Sequence, residues 1–242
     1  MNYLAFRQWT IDNWYLLPVF LGMAVIVFVL LRVQNSLRDQ SAAGIERLLV
    51  TDPALCAERL ENNKLFRTVF RKPVIELWKL QAYMRLGQDD RIETVLQRLR
   101  DMKLEPRDKI EFYQQSLSYY AVTGKRDEAL AARDALRCFI VKAKAQETEP
   151  YASMLEEADV IVGVYIEHNT ALIRKLIGKA EHTKNDISRG VTQYRIAKLA
   201  YYKGDAKLLE TYLSRAGKNL KGTAYEEIIE KAKTDPSVLE RK

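Results

Sequence analysis

The chain of 242 residues has only two histidines, His168 and His182, and they are too far apart, with no cysteine beside either, to form a metal-ligand pair. They read instead as a turn residue and a helix-end residue. Cys56 and Cys138 are equally isolated and form no CxxC. That argues against a disulfide scaffold or a zinc ribbon and for reduced, semi-buried thiols. Glu156, Glu157 and Asp159 are the best candidates for paired carboxylates in acid–base work. Without a companion base or nucleophile they read as acids early in a helix, complementing its macrodipole. Asp89 and Asp90 likewise open a helix after Gly87. There is no Gly-rich phosphate loop, nucleophile elbow, HExxH or kinase signature. The chain is therefore not expected to be an enzyme, and no cofactor, metal or small-molecule substrate is expected.

Positive charge is the other chemical resource. Lys and Arg total 39 against 32 Asp and Glu, a net +7. Lys64, Arg67, Arg71 and Lys72 form one group, Lys142 and Lys144 a second, and Arg174, Lys175 and Lys179 a third. Such runs are usually solvated faces; their functional readings are attraction to anionic lipid or to an acidic partner. Nucleic acid is not the expected partner, because many acids dilute the charge and no stacking motif accompanies it.

The elements that would carry these groups begin with an apolar run. Positions 14 to 31 (WYLLPVFLGMAVIVFVLL) contain no charge. As a helix this run is roughly 27 Å long, and with its flanks it matches a bilayer core of about 30 Å. Apolar residues all around the wheel favour a transmembrane helix over a core helix, which keeps a polar stripe. A cleavable signal peptide fits poorly, since Asp12 offsets Arg7 and Arg32 and Arg38 follow the run. Trp14 and Tyr15 suit an interfacial belt on one side. Arg32, Arg38 and Arg47 on the other predict a cytoplasmic soluble part, N-out and C-in.

Beyond the run, apolar residues recur at i, i+3, i+4, as in Ile92, Val95, Leu96 and Leu99, or Leu208, Leu209, Tyr212 and Leu213. Pro53, Pro73, Pro106 and Pro150 open segments, and Gly87, Gly124 and Gly204 end others. Anchored on these glycines, a repeat emerges. Leu80, Leu117 and Ala197 precede the glycine by seven, and Tyr83, Tyr120 and Ala200 by four. After it come Ile92, Ala129 and Leu209, then Val95, Ala132 and Tyr212, then Leu99, Leu136 and Ala216. Small residues would let the two helices of a hairpin approach, and each glycine would take the left-handed turn conformation.

The segments LWKLQAYMRLGQDDRIETVLQRL, SLSYYAVTGKRDEALAARDAL and YRIAKLAYYKGDAKLLETYL, which carry this pattern, resemble the tetratricopeptide repeat. The resemblance covers three hairpins, at about 73–104, 107–147 and 186–218. It implies an all-α body, a tetratricopeptide-like α-solenoid of antiparallel helix pairs, which follows the transmembrane helix expected from the apolar run. The expected divisions are a short segment at 1–13, the span at 14–32, a juxtamembrane linker at 33–40, an irregular helical pair at 41–72, repeats at 73–218 and a capping helix and tail at 219–242. A degenerate pair is expected within 151–183, turning at His168, Asn169 and Thr170.

In this family the first helix of each hairpin lines a concave, protein-binding groove. Carried over, that groove comprises Trp78, Gln81 and Arg85, then Gln114, Gln115 and Ser118, then Arg195, Lys198 and Tyr202. The clamp that some members use for a chaperone's C-terminal carboxylate needs Lys and Asn where this chain has Leu77 and Gln81. The expected function is thus that of a membrane-anchored adaptor that binds a partner protein in assembly or stabilisation of a membrane complex. Two alternatives stand beside it: an extracytoplasmic accessory factor of a secretion or envelope machine, and a basic helical-repeat domain that binds nucleic acid or anionic lipid.

Overall fold

A computed structural model describes residues 17–142, 149–223 and 225–240, with the side chains of all of these except 17–22, 30, 33–34, 64–65 and 149–150. Among the described residues every regular element is helical. The chain divides into two compact units, 1–82 and 83–242.

In the first unit, helix α1 spans Leu17–Thr51, followed by α2 (Pro53–Asn62), α3 (Lys64–Val69) and the start of α4 (Lys72–Leu86). α1 is 35 residues long and runs unbroken through 33–40, the stretch expected to be a linker. No glycine or proline interrupts it there, and Gln34, Leu37, Arg38 and Gln40 are good helix formers. It breaks at Asp52, whose carboxylate accepts the Leu55 amide at 2.9 Å while Pro53 takes the first turn of α2. Ile45 and Leu49 of α1 are buried, as are Cys56, Ala57 and Leu60 of α2. Among its described side chains, the N-terminal part of α1 buries nothing comparable. Met23, Val25, Ile26, Val27, Phe28, Val29 and Leu31 are all at least half exposed, Phe28 by 61%. Among the described residues no helix is long and apolar enough to cross a membrane. Trp14, Tyr15 and the first residues of the apolar run lie outside the described residues.

The second unit continues with α5 (Asp89–Arg100), α6 (Pro106–Val122), α7 (Arg126–Lys142), α8 (Glu149–Tyr165), α9 (Leu172–His182), α10 (Asp186–Lys203), α11 (Ala206–Asn219), α12 (Glu226–Thr234) and a terminal 3-10 turn at Pro236–Glu240. α6 packs on α7, α8 on both, α9 on α10, and α10 on α11. All fifteen residues aligned on the turn glycines are buried, from Leu80, Leu117 and Ala197 through Leu99, Leu136 and Ala216.

The three turns share one hydrogen-bond pattern. Gly87, Gly124 and Gly204 have φ of 64°, 73° and 74°. The amide after each glycine donates to the carbonyl five residues earlier: Gln88 to Tyr83 at 3.1 Å, Lys125 to Tyr120 at 2.9 Å and Asp205 to Ala200 at 3.0 Å. This is the Schellman closure, available because glycine reaches positive φ at little cost. A fourth turn uses no glycine. His168 takes φ 51°, Glu167 N donates to Val162 O at 3.0 Å, and α8 and α9 meet around it. That is the pair anticipated at 151–183.

Candidate functional site

The nine residues assigned to a groove have different environments. In the first unit Trp78 is half-buried, its ring edge-on to Phe70 at 4.8 Å, and Gln81 is half-buried. In the second unit Arg85 is exposed, while Gln114, Gln115 and Ser118 on α6 are half-buried. Gln115 Nε2 donates to Glu111 Oε1 at 3.0 Å, and its Oε1 is buried without a partner. The structure does not leave Arg195, Lys198 and Tyr202 of α10 as free groove side chains, because neighbouring elements engage each one.

Arg195 Nη1 bonds Glu157 of α8, and Lys179 Nζ of α9 meets the other oxygen of that carboxylate at 2.7 Å. Burial alone would raise the Glu157 pKa; the Arg195 charge and the two hydrogen bonds outweigh it, so the carboxyl lies below its ordinary value. Glu156 pairs with Lys175 at 2.9 Å and Asp159 with Arg137 at 2.7 Å. The acids expected to serve the start of a helix thus sit two turns into α8 and tie it to α7, α9 and α10.

Lys198 is only 5% exposed. Its ammonium donates to the Leu239 carbonyl of the terminal 3-10 turn and lies 5.6 Å from the ring of Tyr165 and 5.8 Å from that of Tyr202. Burial depresses its pKa to about 8. Tyr201 secures the same turn by donating to Glu240 at 2.7 Å, and Leu239 is buried. Tyr202 stacks on His168 at 3.7 Å, and His168 Nδ1 lies 3.3 Å from the Val164 carbonyl. Burial lowers the His168 pKa, so its ring is neutral at neutral pH.

These groups surround a cavity of about 380 Å3 whose walls include Arg126, Tyr165, Ile166, His168, Lys198 and Tyr202. A second cleft, of about 440 Å3, lies among Leu104, Phe112, Tyr113 and Ala132. The first is the more polar site, and no motif announces it. Its residues come from the ends of α6 and α8, the start of α7, the C-terminal third of α10 and the terminal 3-10 turn, which the sequence separates widely. The only sequence signal was Lys198 and Tyr202 one turn apart on a helix otherwise rich in buried residues. His182 ends α9, its Nδ1 2.8 Å from the Gly178 carbonyl. Cys56 is buried and Cys138 exposed. Among the described residues no cluster of three His, Cys, Asp or Glu could hold a metal ion.

Compared with family models, curated proteins and solved structures, the chain has no match in any of the three. The class these features define is an all-helical protein.

Proposed function

We propose that the chain is a single-pass membrane protein whose helical body is a tetratricopeptide-like scaffold that holds a partner protein at the membrane. The observation that carries this reading is α1. Its apolar residues from Met23 to Val29, and Leu31, are exposed, whereas among its described side chains burial begins at Ile45. A helix with exposed apolar residues on every side needs an apolar medium or a partner. The apolar run from position 14 would supply the length for a span, and the exposed Arg32 and Arg38 that follow it would then meet the headgroups. The shared turn geometry and buried small residues of the hairpins support the tetratricopeptide-like part. Half-buried Gln114 and Ser118 with exposed Arg85 are the groove residues most available to a partner.

Tethering is the mechanism: confinement beside the membrane raises the effective concentration of the partner. Such an adaptor would serve assembly or stabilisation of a membrane complex, from the cytoplasmic side. The test has two parts. The full-length chain should remain in the membrane pellet after alkaline carbonate washing, and Ile26→Lys with Val29→Lys should release it. A photo-crosslinker at Gln114 should then yield one discrete heteromeric adduct in cells. Carbonate release of the unaltered chain would defeat the anchor, and crosslinks confined to the chain itself would defeat the groove.

A further inference from the structure

The cavity beside Lys198 has a charge that the fold leaves uncompensated. An ammonium group carries three donors, and the Leu239 carbonyl accepts one. No carboxylate among the described residues forms an ion pair with Lys198. Burial of a cation is costly without a counter-charge, and the ring faces of Tyr165 and Tyr202 compensate only in part. Nor does the dipole of α10 serve, because Lys198 lies more than a turn before the helix end at Lys203.

Arg126 compounds the excess. It is exposed on the wall of the same cavity and opens α7, where a positive charge opposes the helix dipole. It makes no ion pair among the described residues, so the fold gains nothing evident from placing it there. Glu240 contributes one negative charge to the wall, and its Oε1 is taken by Tyr201. With His168 neutral, the two cations exceed the one carboxylate by a single charge. The remaining wall is apolar or aromatic, from Val122, Ile166, Tyr165 and Tyr202. The volume of about 380 Å3 lies within the range of small-molecule sites.

We propose that this cavity binds a small organic monoanion, a carboxylate with a compact apolar body, whose charge meets Lys198 and Arg126. Charge-assisted hydrogen bonds from both cations would hold the carboxylate, and the apolar wall would take the body. The ligand is neither a substrate nor the protein partner of the adaptor reading, and the site stands or falls independently of that reading.

The test is calorimetric titration of the full-length chain in non-ionic detergent with benzoate, with benzyl alcohol as the neutral counterpart of similar shape. Benzoate should bind, benzyl alcohol should bind at least about tenfold more weakly, and both Arg126→Glu and Lys198→Met should weaken benzoate by about tenfold or more. Arg126 is exposed, so its variant retains the fold even if the Lys198 variant does not. Absence of benzoate binding in the millimolar range, equal binding of the alcohol, or an Arg126→Glu chain that binds like the unaltered one would overturn the proposal.

Discussion

Lys198 shows how one residue couples burial to acid–base behaviour. Its pKa is about 8 in the folded chain, while an unfolded lysine titrates near 10.4. Between these values the unfolded chain binds the extra proton and the folded chain does not, so folding gains stability as pH rises across that window. Below it both states are charged and the burial cost is present in full. Lys198→Met removes the charge and should be neutral or stabilising at about pH 7. The variant's advantage should shrink as pH rises from about 8 to about 10, measured by urea unfolding of both chains. Tyr165 and Tyr194, whose pKa values burial raises, titrate in both chains and cancel in the difference. An advantage independent of pH would mean that Lys198 is not the titrating group. The family resemblance placed this residue in a groove, where a lysine on a helix reads as accessible; only packing under Leu239 buries it.

Helices meet most tightly where a side chain is missing. A Cβ at Gly190 of α10 would stand 2.6 Å from Leu220 Cγ and 2.9 Å from Asn219 Cβ at the end of α11. This closeness also lets Asn219 Nδ2 donate to Gln193 Oε1 at 2.8 Å. Gly190→Val should therefore destabilise the domain by about 1–3 kcal/mol through overpacking, read as a lowered urea midpoint at unchanged slope. The turn glycines stand out in the sequence and Gly190 does not, because a glycine inside a helical pattern has no periodic signature of its own. The reverse holds at His168, which does a glycine's work at φ 51°. Stacking on Tyr202 and the contact with the Val164 carbonyl hold it in a conformation that its side chain alone disfavours.

For the whole molecule, the functional question is which side of a membrane the helical body faces. If α1 spans as proposed, Arg32, Arg38 and Arg47 predict a cytoplasmic body. Protease added to intact cells should leave the body whole, and permeabilisation should expose it to digestion. Loss of the body from intact cells would favour the extracytoplasmic accessory factor instead. The net charge of +7 bears on association kinetics with acidic partners or anionic lipid at either face, not on the fold.

By itself the sequence determined the helical class, the hairpin turns and the inward residues, because periodicity and glycine punctuation are local properties that each segment carries alone. The stripe of Ile92, Val95, Leu96 and Leu99 is buried as its spacing required. The tertiary structure decided the rest. It carried α1 through the expected linker, turned Glu156, Glu157 and Asp159 into inter-helix ion pairs, and drew Arg126, His168, Lys198 and Tyr202 around one cavity. Those outcomes depend on which helix ends converge in space and on which charges lose water there. Both are set by packing between segments distant in the chain, where no single segment's pattern reaches.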